Sequence, residues 1–153
     1  MQADYMVLAD AVAASDGKLY IHGAGWDTIL IPAAPTMLTM ALGILLRVPW
    51  SETNVKHTLE LDILDVDGQS VMSGPDWPLR AEVNVGRPTH IEPGDDQTFP
   101  LTINLNGTSM ERVGTYVIVL KIDEQEMART AFRVRLMPDR QAMSQSSREP
   151  PAT

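Results

Sequence analysis

The residues able to do chemistry are few and far apart. Three histidines stand at His22, His57 and His90. None of their spacings matches a local metal motif, such as two His four apart on a helix. Only strand pairing could bring His22 near another His or an Asp, so all three are expected to be ordinary surface or strand histidines. Asp62, Asp65 and Asp67, followed by Gly68, invite a calcium reading. An EF-hand loop needs oxygens at alternating positions, a Gly at the sixth and a Glu at the twelfth. Here Leu64 interrupts the alternation and Gly68 follows Asp65 too soon, although Asp95 and Asp96 offer oxygens from another loop. A turn in which Asp bonds its own backbone is the expected reading, with no metal site.

Nucleophilic catalysis finds no support. There is no Gly-x-Ser-x-Gly elbow, and Ser15, Ser51, Ser70, Ser73 and Ser109 lie in turn-like or strand-edge contexts. The chain has no Cys, which removes thiolate catalysis, disulfides, iron–sulfur clusters and Cys-bound zinc. Phosphate-binding and dinucleotide-binding glycine loops are missing. No catalytic residue and no cofactor are predicted, and the chain is read as a non-enzyme. The candidate binding residues are Trp26, Trp50 and Trp77, all near loops or strand ends. Exposed indoles stack on sugars or anchor partners. Their other use is to cap the open ends of a core poor in aromatics, which make up only 5% of this chain.

The elements that must position these residues follow from composition and pattern. A chain of 153 residues is one domain by size, and such a domain buries roughly 70% of its unfolded surface without metals or disulfides. The net charge of −8 argues against nucleic acid and against an anionic membrane surface. The longest apolar run, Met37–Val48, is broken by Thr39, Gly43 and Arg47 and is too short to span a bilayer. The N-terminus lacks the pattern of a signal peptide, so a cytoplasmic location is expected.

Period two, the spacing of one face of a strand, dominates the chain. Thr58–Val66 places Leu59, Leu61 and Ile63 on one face, with Thr58, Glu60 and Asp62 on the other. Arg80–Val85 alternates Ala81, Val83 and Val85 with Arg80, Glu82 and Asn84. Pro100–Leu105 alternates in the same way, and Ala128–Leu136 puts Phe132, Val134 and Leu136 inward with Arg129, Arg133 and Arg135 outward. That arginine row is a solvated face, a site for an acidic partner, or a guard against edge pairing. Asp16-Gly17, Asp67-Gly68, Pro93-Gly94, Asn106-Gly107 and Asp123-Glu124-Gln125 punctuate the runs as turns, with Asn106-Gly107 expected as a type I′ hairpin.

About nine strands result. They fall near Tyr5–Ala13, Leu19–Leu30, Met37–Val48, Val55–Val66, Gln69–Met72, Leu79–Val85, Thr98–Leu105, Gly114–Ile122 and Glu126–Leu136. Gly23-Ala24-Gly25 marks a bulge or bend inside the second. The start of the chain has helix-forming residues, but the turn that follows at once favours a strand. Met37–Leu46 fits a strand buried on both faces or one facing a partner. The predicted fold is an all-β, antiparallel sandwich of 8–9 strands over residues 1–137, immunoglobulin-like or jelly-roll-like. Residues 138–153, rich in Ser, Gln, Arg and Pro, are expected to form a disordered tail.

The opening Asp4-Tyr5-Met6-Val7-Leu8-Ala9-Asp10-Ala11, followed by Asp16-Gly17-Lys18-Leu19-Tyr20-Ile21-His22-Gly23, resembles the start of a family of small uncharacterised bacterial proteins. The closing Gly114-Thr115-Tyr116-Val117-Ile118, a short turn and a strand ending near Leu136 are also similar. The resemblance covers most of Asp4 to Pro138. It implies a β-sandwich and a bacterial origin, and it carries over no activity and no functional residue.

Two roles from different classes remain. The first is a non-catalytic interaction or assembly module with a protein partner or a second copy of itself. It rests on the missing motifs, the strand-rich pattern and the apolar Met37–Leu46 run. The second is a small-molecule or glycan binder, conceivably a hydrolase, using the loop tryptophans and acidic residues.

Overall fold

A computed structural model describes residues 1–138, so the tail expected over 138–153 lies outside them but for its first residue. The strands are β1 (Gln2–Ala9), β2 (Ala11–Ser15), β3 (Lys18–His22), β4 (Thr28–Ile31), β5 (Thr36–Leu38) and β6 (Ala41–Pro49). After a single 3-10 turn at Trp50–Glu52 come β7 (Lys56–Leu64), β8 (Leu79–Asn84), β9 (Asp96–Asn104), β10 (Thr108–Met110), β11 (Gly114–Ile122) and β12 (Gln125–Leu136). Three of the long expected runs divide. Asp10 breaks the first into β1 and β2, the Gly23–Gly25 bend splits the second, and Thr39-Met40 separates β5 from β6. The start of the chain is strand, not helix. Gln69–Met72 is no strand, and its ladder shrinks to one bridge between Leu64 and Ser70.

Two main sheets face each other. One has the order β1-β6-β9 and the other β4-β12-β11-β7-β8, while β2-β3 and β5-β10 form small two-stranded pairs. Every pairing is antiparallel except that of β4 with β12. The period-two pattern sorts side chains as expected. Leu59, Leu61 and Ile63 of β7, Ile118 and Leu120 of β11, and Phe132 and Val134 of β12 join one core with Leu42, Ile44, Leu46 and Val48 of β6. Leu136, expected inward, is 54% exposed, because it lies at the last residue of the last strand.

Strand order follows the immunoglobulin arrangement rather than a jelly roll. The strands β1, β6 and β9 stand as A, B and E, and β12, β11, β7 and β8 as G, F, C and C′. Tyr116, near the start of β11, donates its hydroxyl to the carbonyl of Arg112 at 2.6 Å, the tyrosine corner of such sandwiches. Its ring lies 5.6 Å from that of Phe132.

The near-continuous apolar run divides between β5 and β6, and β6 is covered on both faces. Alternate residues Leu42, Ile44, Leu46 and Val48 fill the core. On the other face of β6 sits Gly43, against which the β2-β3 hairpin folds. A Cβ there would lie 3.4 Å from Val12 and 3.5 Å from Ile21. The β6 part of the run therefore finds its cover inside the chain, while Met37 of β5 stays exposed.

Two hairpins have type I′ turns with positive φ at both central residues, Asp16-Gly17 and Asp123-Glu124. Asn106-Gly107 differs from expectation. Only Gly107 has positive φ, as in a type II turn, and the turn leads from β9 to β10, which pairs with β5 instead.

Candidate functional site

The polar residues gather at the end of the sandwich where the β6–β7 connection meets the β11–β12 turn. His57 begins the core-facing set of β7 and is only 7% exposed. Its Nδ1 lies 2.7 Å from the Asp123 carboxylate, and its Nε2 lies 3.2 Å from the Glu52 carbonyl. Asp123 also accepts the Thr58 amide at 2.8 Å, while its own amide donates to the Thr58 carbonyl. The α-ammonium of Met1 pairs with Glu52 on the same side. The bond to Asp123 raises the His57 pKa against the opposing effect of burial, with help from the Glu52 carbonyl. The same bond and the Thr58 amide lower the pKa of Asp123. With both ring nitrogens engaged, the imidazole ties two loops together and presents no free edge to a substrate.

The other two histidines lie on the surface. Among the described residues no group of three His, Asp or Glu side chains could hold a metal ion. Asp65 takes the Asp67 and Gln69 amides, each at 2.9 Å, and so caps its own turn. Asp62 accepts the Ser70 hydroxyl at 2.7 Å. The acidic turn is the self-bonded one expected from its sequence.

All three tryptophans are half-buried and lie on separate parts of the molecule. Trp26 donates its indole N–H to Asp10 at 3.1 Å and packs on the core. Trp50 lies under the guanidinium of Arg87, 3.7 Å from the ring centroid, and Arg87 also donates to the Trp50 carbonyl and the Thr53 hydroxyl. Trp77 packs on the core ahead of β8. None of them lines the cavity of about 460 Å³ between the segment from Asp65 to Val71 and that from Ser109 to Tyr116. Three polar side chains of that cavity bond inside the chain: Ser70 to Asp62, Ser109 to Glu111 and Tyr116 to the Arg112 carbonyl.

The arginine row is paired too. Arg129 meets Glu126, Arg133 meets Asp27, and Arg135 donates to the Gly114 carbonyl. β4 pairs with Arg133–Leu136 of β12, so Arg133 and Arg135 lie inside the sheet and guard no edge, whereas Arg129 stands on the stretch of β12 that β4 leaves uncovered, where the edge-guard reading still applies. No sequence signal announced that parallel contact, whose residues are about a hundred positions apart, as in Thr28 on Arg133.

The stretch Gln125–Phe132 of β12 that β4 leaves uncovered is interrupted by a register shift at Met127. The outermost strands of the two main sheets are four, β1 and β9 in one, β4 and β8 in the other. Three of them carry the devices that discourage pairing. A register shift between Ala3 and Tyr5 disrupts β1. Pro100 interrupts the amides of β9, and β4 spans only four residues before Pro32. The fourth, β8, carries charges of both signs, Arg80 and Glu82, but runs six residues without Pro, Gly or bulge, in unbroken register with β7. Among the described residues its backbone makes no hydrogen bond beyond that ladder. Sequence reasoning found β8 as a strand but gave no sign that it would be an edge.

A family model described as a family of unknown function, DUF6941, matches residues 4–135, the stretch over which the family resemblance runs. No curated protein matches the chain.

Proposed function

The chain belongs to DUF6941, a family of unknown function, and from its geometry we propose that it is a non-catalytic protein-interaction or assembly module. The observation that carries this reading is the open β8 edge. A regular edge strand offers a row of unpaired amides and carbonyls, and an extended partner adds to it with main-chain bonds while side-chain pairs supply specificity. The β6 part of the apolar run Met37–Leu46 no longer supports the reading, since it is covered by the core and by the β2-β3 hairpin, which leaves Met37 as the exposed apolar side chain of the run. The reading does not rest on a catalytic group. The best-placed base, His57, is used on both nitrogens to join loops.

Native mass spectrometry of the protein purified gently from its own cells tests the proposal. The expected result is a multiple of 16.8 kDa or a complex with a second chain. A bare monomer would sink it. The alternative, a small-molecule or glycan binder, has the 460 Å³ cavity in its favour. On that reading the monomer would carry a small added mass, and the site would be built without the three indoles.

A further inference from the structure

The outer face of β8 carries a charge pattern that selects one particular partner. Arg80 and Glu82 point to this face and Leu79, Ala81 and Val83 to the core side, as the alternation with β7 requires. Arg80 pairs with Glu60 at 2.9 Å, and Glu60 in turn faces Lys121 at 3.5 Å. Glu82 pairs with Lys56 at 2.9 Å. Charges thus alternate in rows across the sheet and reach the β8 edge as one positive and one negative end.

Resting on the interaction reading above, we infer that the partner at this edge is a second copy of the chain, paired antiparallel through β8 about a two-fold axis at Ala81. Residues directly opposite in an antiparallel ladder share a face. With Ala81 opposite Ala81 of the partner subunit, Arg80 faces Glu82 of the partner subunit, and Glu82 faces Arg80 of the partner subunit. Both copies gain both pairs, as a two-fold interface demands. The row Lys121–Glu60–Arg80 then continues onto a carboxylate across the interface. Sliding by two residues puts Arg80 on Arg80 or Glu82 on Glu82, and sliding by one turns charges toward the core side. A single register is therefore attractive.

The core side agrees. Leu79 would face Val83 of the partner subunit, and both are half-buried, whereas Leu61 beside Leu79 on β7 is fully buried. Opposite them on β9, Phe99, Leu101 and Ile103 are also half-buried, although their β6 neighbours Leu46, Ile44 and Leu42 are fully buried. The sandwich is closed at its centre and partly open along the side that β8 borders. Extending the sheet covers that opening.

Sedimentation of the full chain over a wide concentration range, with two charge-reversal variants, tests the inference. Wild type is expected to approach twice 16.8 kDa as concentration rises. Arg80→Glu sets Glu against Glu82, and Glu82→Arg sets Arg against Arg80. Each alone should weaken the dimer roughly tenfold or more, because two attractive cross-strand pairs become repulsive. Mixing the two variants restores both opposite-charge pairs and should give a one-to-one heterodimer as tight as wild type or nearly so. Circular dichroism of each variant before mixing confirms that it is folded. A wild type that stays monomeric overturns the inference, and so does a mixture that stays monomeric while wild type dimerises. If wild type alone is monomeric but native mass spectrometry finds a second kind of chain, the interaction reading survives without the self-pairing.

Discussion

At the scale of single residues, His57 shows how a potential catalytic group becomes a structural one. Its imidazole bridges the Asp123 carboxylate and the Glu52 carbonyl, so both loops at that end lean on it. Replacing it with Asn should cost about 2 kcal/mol in urea unfolding, the range for leaving a buried hydrogen-bonding site poorly filled. The pH dependence has a definite sign. A His with a raised native pKa adds stability that is complete below about 6.5, its unfolded value, and is lost as pH rises through the raised one. Asp123, with a lowered pKa, adds stability above about 3.9 that is lost as pH falls through the lowered value. The pair is therefore whole between about pH 4 and 6.5. Unfolding free energies at pH 6 and 8 should show a decline in wild type that His57→Asn flattens. An identical decline in both would show that other groups set it. Tyr116 gives a simpler case. Tyr116→Phe keeps the ring against Phe132 and removes only the bond to Arg112, with an expected loss of about 1–2 kcal/mol and no change of fold.

At the scale of elements, the β2-β3 hairpin is a piece folded back over β6 and β9. The Asp10 amide donates to the carbonyls of His22 and Gly23, and the Asp10 carboxylate holds Trp26. Gly23 has φ of +65°, and a Cβ there would fall 2.1 Å from the Asp10 carboxylate. Gly23→Ala therefore combines an unfavourable backbone with a clash that moves Asp10 off Trp26. A destabilisation of about 2–3 kcal/mol is expected, with a shift in Trp26 fluorescence. Gly43→Val acts from the other side by wedging β6 against Val12 and Ile21. Faster amide exchange in Ala11–His22, with β7 and β11 unchanged, is the expected signature. Uniformly faster exchange would show that the hairpin is no separate unit. The breaks that define this hairpin were only half legible. Gly23–Gly25 signalled a bend, but Asp10, the one charged residue in Tyr5–Ala13, also fits an outward position of a single continuous strand.

At the scale of the whole molecule, sequence alone determined the parts that depend on near neighbours. Period-two alternation identified β7, β8, β9 and β12 and most of the residues they turn to the core, with Ala81 and Leu136 left exposed, because a strand with one wet face must alternate. Asp16-Gly17 and Asp123-Glu124-Gln125 marked hairpins, because turn-forming residues between two apolar runs bring adjacent strands together, although Gln125 is the first residue of β12 and not part of the turn. Asp65 was legible as a self-bonded turn for the same local reason. Tertiary structure alone decided what depends on partners distant in the chain. It sent β10 to β5, set β4 parallel on β12, folded the hairpin over Gly43, and brought His57 to Asp123 across a separation of 66 positions. It also chose which strands became edges, leaving β8 open while Pro100 and a bulge disrupt the edges of β9 and β1. The physical reason is that side-chain periodicity records which face of a strand is buried, while the identity of the neighbouring strand is fixed by chain closure and packing among all the strands together. Several neighbours satisfy the same alternation, and only the assembled core distinguishes them.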